Sequence, residues 1–160
     1  MKIRDSVAFV TGAKRGLGLA FAKELLGRGV KKLYAGVRNP DGVDLPGVIP
    51  VKFDVTDPAA IAAAAARCND VGLLINNAGI GRVDASALDP AVIDNAREIF
   101  ETNFYGDHSG KPGIHAGAVG KLRRGDHQRI IRCHLVCTAN ANRLCGHEIR
   151  CVELHQRIAY

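Results

Sequence analysis

The stretch TGAKRGLG, residues 11–18, sets Gly12, Gly16 and Gly18 around two cations, Lys14 and Arg15. Glycines so spaced leave backbone N–H groups bare to an approaching anion. A helix opening behind them adds the positive end of its dipole. The chemistry implied is capture of a pyrophosphate. The same glycines could simply allow a tight turn, so the flanking sequence has to decide between the two. Three other groups could take part. Arg38 closes the run KKLYAGVR, the tetrad Asn76, Asn77, Ala78 and Gly79 follows the apolar run VGLLI, and Asn103 lies in ETNF. Asn103 could equally be an exposed helix residue.

The elements that must position these residues alternate in type. SVAFVTG (6–12) is a short β-rich run ending at glycine, and KKLYAGVR (31–38), GVIPVKFDV (47–55) and VGLLINNAG (71–79) read as further strands. Between them, LGLAFAKELLGRG places Leu17, Ala20, Phe21 and Leu25 on one predicted helix face and is stopped by Gly27 and Gly29. Asp57 and Pro58 supply an N-cap and a first helical residue to the alanine-rich segment after them. Asp89 and Pro90 open the next helix in the same way, with Val92, Ala96, Ile99, Phe100 and Asn103 on one face. The glycine turn therefore follows a predicted strand and opens a predicted helix, the context that supports phosphate capture. Strands alternating with helices predict an α/β fold with a parallel sheet covered on both faces.

TGxxxGxG after the first strand, NNAG after the fourth and an asparagine in the next helix together resemble the short-chain dehydrogenase/reductases, in order and in spacing. The resemblance covers residues 5–106 and implies a Rossmann-type doubly wound sheet of which the N-terminal half is present. It also implies roles. Gly12, Arg15, Gly16, Leu17 and Gly18 would hold the pyrophosphate and neighbouring ribose, and Asp54 and Val55 the adenine. Asn76, Asn77, Ala78 and Gly79 would approach the cofactor, and Asn103 would help hold a water in the proton relay. The reaction implied moves a hydride between a nicotinamide cofactor and a small-molecule carbonyl or alcohol. Members that select NAD carry an acid at the end of the second strand. Here Val37 stands there and Arg38 follows, with Lys14 and Arg15 nearby. A guanidinium can grip a 2′-phosphate bidentately, so NADP is the expected cofactor and NAD the alternative.

The family's serine and its YxxxK pair should come next. No YxxxK occurs in the 160 residues, Ser109 follows Asn103 too closely, and after Tyr105 the next tyrosine is Tyr160. The absence matters because a free phenol titrates near pH 10 and needs the lysine to work near neutrality. Strand and helix periodicity fades at the same point, after Gly106. A one-base shift of reading frame accounts for both losses. Ile130 to Cys133 can be coded ATT ATC CGT TGT, and shifted this reads Leu-Ser-Val. Leu144 to Ile149 can be coded CTA TGC GGC CAC GAA ATC, and shifted this reads Tyr-Ala-Ala-Thr-Lys. The shifted serine straddles Ile131 and Arg132 and the tyrosine straddles Leu144 and Cys145, an interval of 13. Residues 1–106 are therefore expected to be a partial dinucleotide-binding domain and residues 107–160 a non-native, poorly ordered tail without turnover. Full members pair through helices near the tyrosine, so a homo-oligomer is expected of the intact parent and not of this chain.

Composition fits that division. Residues 1–106 carry 13 Lys/Arg against 12 Asp/Glu, whereas residues 107–160 carry 9 against 4, with all six histidines and four of the five cysteines. Read as selected residues, Cys133, Cys137, Cys145 and Cys151 with His134, His147 and His155 suggest a zinc module, and the basic balance a nucleic-acid arm. The cysteine spacing contains no C-x2-C knuckle, and no aromatic residue interrupts 107–159 to stack on bases. Neither metal nor nucleic acid is therefore expected. No run of 18 apolar residues is present, so no membrane partner is expected and the cytoplasm is the expected compartment.

Overall fold

The computed structural model describes residues 3–82, 88–105, 129–133 and 151–154. The elements are β1 (Val7–Thr11), α1 (Gly16–Gly27), β2 (Lys32–Val37), β3 (Val48–Lys52), α2 (Pro58–Arg67), β4 (Leu73–Asn76), α3 (Val92–Phe100), β5 (Arg129–Cys133) and β6 (Cys151–Leu154). They form one sheet in the order β3-β2-β1-β4-β5-β6. All pairings are parallel except that of β5 with β6. The order reverses at β1, and the crevice at that switch, beyond the carboxyl ends of the strands, is where such sheets bind ligands.

Alternation along the strands feeds two cores. Phe9, Tyr34, Val51 and Leu74 point to one face and pack with Ile61, Ala64 and Cys68 around α2. Ala8, Val10, Leu33, Ala35, Leu73 and Ile75 point to the other and pack with Ala22 and Leu25 of α1. Burial on both faces explains why these strands read as near-continuous apolar runs. β3 is an outer strand, and Pro50, which offers the ladder no N–H, is tolerated there.

Three local expectations change. On α1 the buried line is Gly18, Ala22 and Leu25, while Ala20 is exposed. Almost every residue of that helix is apolar, so periodicity could not fix its rotation; the close approach of Gly18 to the strand ends does. Asp57 caps α2 as expected, accepting from Ala59 N at 2.8 Å. Asp89 instead makes a turn, accepting from Ala91 N at 2.9 Å, and α3 starts later at Val92. The inward side of α3 carries Val92, Asn95 and Ile99, and Phe100 is 59% exposed.

The sequence reading placed no strand beyond residue 106, yet the described residues there include β5 and β6. β5 runs parallel to β4 with Arg132 in register with Asn76. Two adjacent β-branched isoleucines beside an open strand edge suffice to extend a ladder. The remainder of the 107–160 tail lies outside the described residues.

Candidate functional site: a glycine-lined cradle at the strand ends

β1 ends at Thr11, whose side chain is buried and serves as a hub. Its hydroxyl oxygen accepts from Asn77 N and Ala78 N, both at 2.8 Å, while Asn77 Nδ2 donates to the Thr11 carbonyl at 2.9 Å. These bonds clamp the end of β4 to the end of β1. The chain then turns at Gly12 with φ of 69°, and Gly12 N donates to the Gly36 carbonyl at 2.8 Å. Ends of β1, β2 and β4 are thereby held around one point.

Gly18, in the first turn of α1, lies under this point. A Cβ there would fall 2.3 Å from the Gly12 carbonyl oxygen and 2.5 Å from Asn77 Nδ2. Only glycine lets the helix start this close to the turn. The N-cap of α1, Arg15, has extended backbone and makes no side-chain cap bond. The first-turn N–H groups of α1 have no intrahelical acceptor. The sequence therefore leaves the helix start without a side-chain cap, an arrangement suited to an anion. Leu17 is half-buried beside it, and Gly16 is exposed with φ of 58°.

The next loop is organised by Asn103. Its side-chain oxygen accepts from Ile80 N and its Nδ2 donates to Ile80 O, each at 2.8 Å. Gly79 leaves room for it, since a Cβ there would lie 3.2 Å from Asn103 Oδ1. Asn103 sits in a π-helical turn, Glu101–Tyr105, that continues α3. Such widened turns recur where a helix must re-aim a residue. An Arg82–Glu98 ion pair ties the same loop to α3. Asn103 is therefore a bracket on the loop after β4, not an exposed helix residue.

At the end of β2, Val37 is buried and Arg38 exposed. Phe53 N donates to Val37 O at 2.9 Å, which carries Asp54 to the neighbourhood of Arg38. Burial opposes ionisation of Asp54. Bonds from Thr56 N (2.9 Å) and Thr56 Oγ1 (2.7 Å), with the Arg38 charge, outweigh it and hold the carboxyl below the usual carboxylate range. Val55, beside Asp54, packs partly against the core. Lys14 reaches across from the glycine turn to the Asp41 carbonyl at 3.0 Å.

The structure thus brings Gly12, Gly18, Asn77 and Ala78 together, joins Gly79 to Asn103, and lines Lys14, Arg38 and Asp54 along the β2–β3 end. Asn76 is half-buried at the end of β4. Thr11 and Ile80 escaped the sequence reading. A threonine directly before the first glycine was a readable signal for the first, whereas Ile80 takes part through its backbone, which no side-chain pattern reports. Among the described residues no three His, Cys, Asp or Glu side chains cluster to hold a metal, and no helix is long and apolar enough to cross a membrane. Of the zinc candidates, Cys133 and Cys151 share a register position between β5 and β6. Cys137, Cys145, His134, His147 and His155 lie outside the described residues.

A family model described as short chain dehydrogenase matches residues 6–109. Among solved structures, the chain is similar to a short chain dehydrogenase from Burkholderia cenocepacia in complex with NADP. The two share 44% identity with a TM-score of 0.60, over 67% of this chain and 46% of that one. It is also similar to NADPH-bound carbonyl reductase from chicken fatty liver, at 33% identity and a TM-score of 0.59, over 72% and 50% of the two chains. Dehydrogenase/reductase SDR family member 7B of Mus musculus is 37% identical over 122 residues, 65% of this chain and 36% of that protein. The chain spans less than half the length of the curated relatives it matches. The matched region holds the whole cradle, from the β1 turn to the Asn103 bracket, and exceeds half of the sequence: the chain belongs to the short chain dehydrogenase family of oxidoreductases.

Proposed function

We propose that residues 1–106 form the NADP-binding part of an enzyme that interconverts a small-molecule carbonyl and an alcohol. The observation that carries this reading is the pairing of a bare glycine cradle with cations at the end of β2. Gly12 and Gly18 let the β1 turn, the start of α1 and the Asn77–Ala78 backbone pack where any Cβ would clash, and the uncapped start of α1 offers N–H donors to a pyrophosphate. Gly16, Leu17 and Arg15 flank it, Asp54 and Val55 border the adenine end, and Asn76, Asn77, Ala78 and Gly79 line the opposite wall. Arg38 and Lys14 suit a ribose 2′-phosphate, which NADP carries and NAD lacks. A bound nicotinamide would supply or accept the hydride. Two of the similar solved structures are complexes with NADP and NADPH, which supports the preference. Dinucleotide titration tests it: NADPH should bind more tightly than NADH, and Arg38→Ala should weaken NADPH by roughly tenfold, the loss of a charge-assisted bidentate contact. Tighter NADH binding by the unaltered chain would overturn it.

We infer further that residues 107–160 are the family's second half read out of frame, so that this chain binds a dinucleotide without turning over a substrate. In a shifted codon the first and last bases are fixed by the residues present and only the middle one is free. Under that constraint the tail still permits a strand ending in serine, then Tyr-Ala-Ala-Thr-Lys. Beyond the lysine, the codons of Ile149 to Tyr160 permit Ser-Ala-Ala-Trp-Ser-Phe-Thr-Asn-Ala-Leu-Arg, a helix-compatible continuation. The tail's histidines, cysteines and excess positive charge are by-products of the shift and were never selected to bind zinc or nucleic acid. The nucleotides from codon 106 onward test this: an open shifted frame encoding serine, tyrosine and lysine is expected, and codons incompatible with those residues overturn it. A frame-restored protein should oxidise NADPH with a ketone or aldehyde and assemble as a homo-oligomer, whereas the 160-residue chain should do neither.

A further inference from the structure

We propose that the turn Asn39–Gly42 is a positioning device that holds the Lys14 ammonium beside Arg38, and that it sets the preference for a phosphorylated ribose. The inference rests on the NADP reading above and adds residues that touch no cofactor themselves. Arg38 ends on this segment at one side, because Asn39 is the next residue. Lys14 ends on it at the other, donating to the Asp41 carbonyl at 3.0 Å from the separate β1–α1 turn. Lys14 is thus tethered to a carbonyl only three residues after Arg38, although the two cations come from distant parts of the chain.

The turn is built to present that carbonyl. Asn39 Oδ1 accepts from Asp41 N at 3.0 Å, and Val43 N donates to Pro40 O at 3.3 Å. Pro40 restricts the backbone between them. Gly42 has φ of 80°, and a Cβ there would lie 3.4 Å from Lys14 Nζ. A side chain at position 42 would be strained by this φ, and its Cβ would touch the ammonium in ordinary van der Waals contact. An ammonium carries three donors and the carbonyl accepts one, so Lys14 retains two for a phosphate oxygen. A free lysine tip samples many rotamers, and tethering it removes that freedom before the ligand arrives. Only a ligand with the extra phosphate gains from this.

The test is titration of the 160-residue chain with NADPH and with NADH, read by nicotinamide fluorescence; the chain has no tryptophan to interfere. Asn39→Ala should weaken NADPH by roughly two- to tenfold, the range of one lost hydrogen bond, and leave NADH unchanged. Lys14→Gln should weaken NADPH at least as much, and combining the two should add little because they act through one contact. Lys14 is exposed, so that variant keeps the test alive if Asn39→Ala fails to fold. An unchanged NADPH-to-NADH ratio in both variants, while Arg38→Ala still lowers it, overturns this inference and spares the NADP reading. An unchanged ratio in Arg38→Ala as well overturns the reading itself. Equal weakening of both dinucleotides by Asn39→Ala and Lys14→Gln would mark the turn as merely structural and also overturn the inference, as would failure of the chain to bind either dinucleotide.

Discussion

The two ends of the sheet solve the same joining problem with different chemistry. At the N-terminal end, Lys32 opens β2 and bonds to Asp70, while Tyr34 OH donates to the same carboxylate at 3.0 Å. At the C-terminal end, β1 and β4 are joined by a threonine hydroxyl, an asparagine amide and backbone N–H groups. A carboxylate joining β1 to β4 here would repel the phosphate that the proposed function brings within hydrogen-bonding distance. Neutral donors and bare glycine hold the strands and leave the field of the helix start and the nearby cations intact. Under the proposed function, the difference separates an end that only has to hold from an end that has to hold and admit an anion.

Substitutions can break that contrast. The largest effect is expected from Gly18→Ala, whose methyl would fall 2.3 Å from the Gly12 carbonyl oxygen, a backbone atom that cannot swing aside. It should destabilise the fold by about 3 kcal/mol, the upper range for overpacking, and abolish NADPH binding. Urea unfolding and NADPH titration check both. Thr11→Val keeps the shape but strands two N–H groups that share its oxygen, and should cost about 2 kcal/mol with weakened binding. Asn103→Ala removes both bonds to Ile80 and should cost about 1 kcal/mol, read as a lower urea midpoint. Asp70→Asn at the opposite end should be the mildest, shifting the midpoint slightly and leaving NADPH affinity within about twofold, as partly exposed ion pairs do. Equal loss of binding from Asp70→Asn and Thr11→Val would erase the distinction between the two ends.

Acid sharpens it. Burial disfavours charge on Asp70, but bonds from Lys32 and Tyr34 outweigh this and hold its carboxyl below the ordinary range; Asp54 behaves likewise through Thr56 and Arg38. A depressed folded-state value means that these carboxylates stabilise the fold above the unfolded value, about 4, and that this contribution is lost as pH falls through the folded values. The urea midpoint should therefore fall below about pH 4, and less so in Asp70→Asn. NADPH binding to Asp70→Asn should follow the same pH dependence as the unaltered chain.

What the sequence reveals depends on which group does the work. Strand and helix order was readable because alternating apolar runs and the Asp57–Pro58 cap write directly into residue type. The glycine cradle was readable for the same reason: a missing Cβ is visible in the one-letter code. The rotation of α1 was not, because Leu17, Ala20, Phe21 and Ala22 are all apolar and the deciding contact, Gly18 on Gly12, is long-range. The later start of α3 was missed because Asp89 can make a turn as readily as a cap. The strands β5 and β6 were missed because Arg132 and Glu153 interrupt RIIRC and CVEL, which therefore lack the continuous apolar run that marks VAFV and LLI.

The bond from Asn77 to the Thr11 hydroxyl closes over 66 positions. A ribosome must therefore release β4 and the asparagine after it before the first glycine turn can settle, however early that turn was made. In refolding, added dinucleotide should leave the initial collapse untouched and act only on the late step that docks β4, as a brake on reopening.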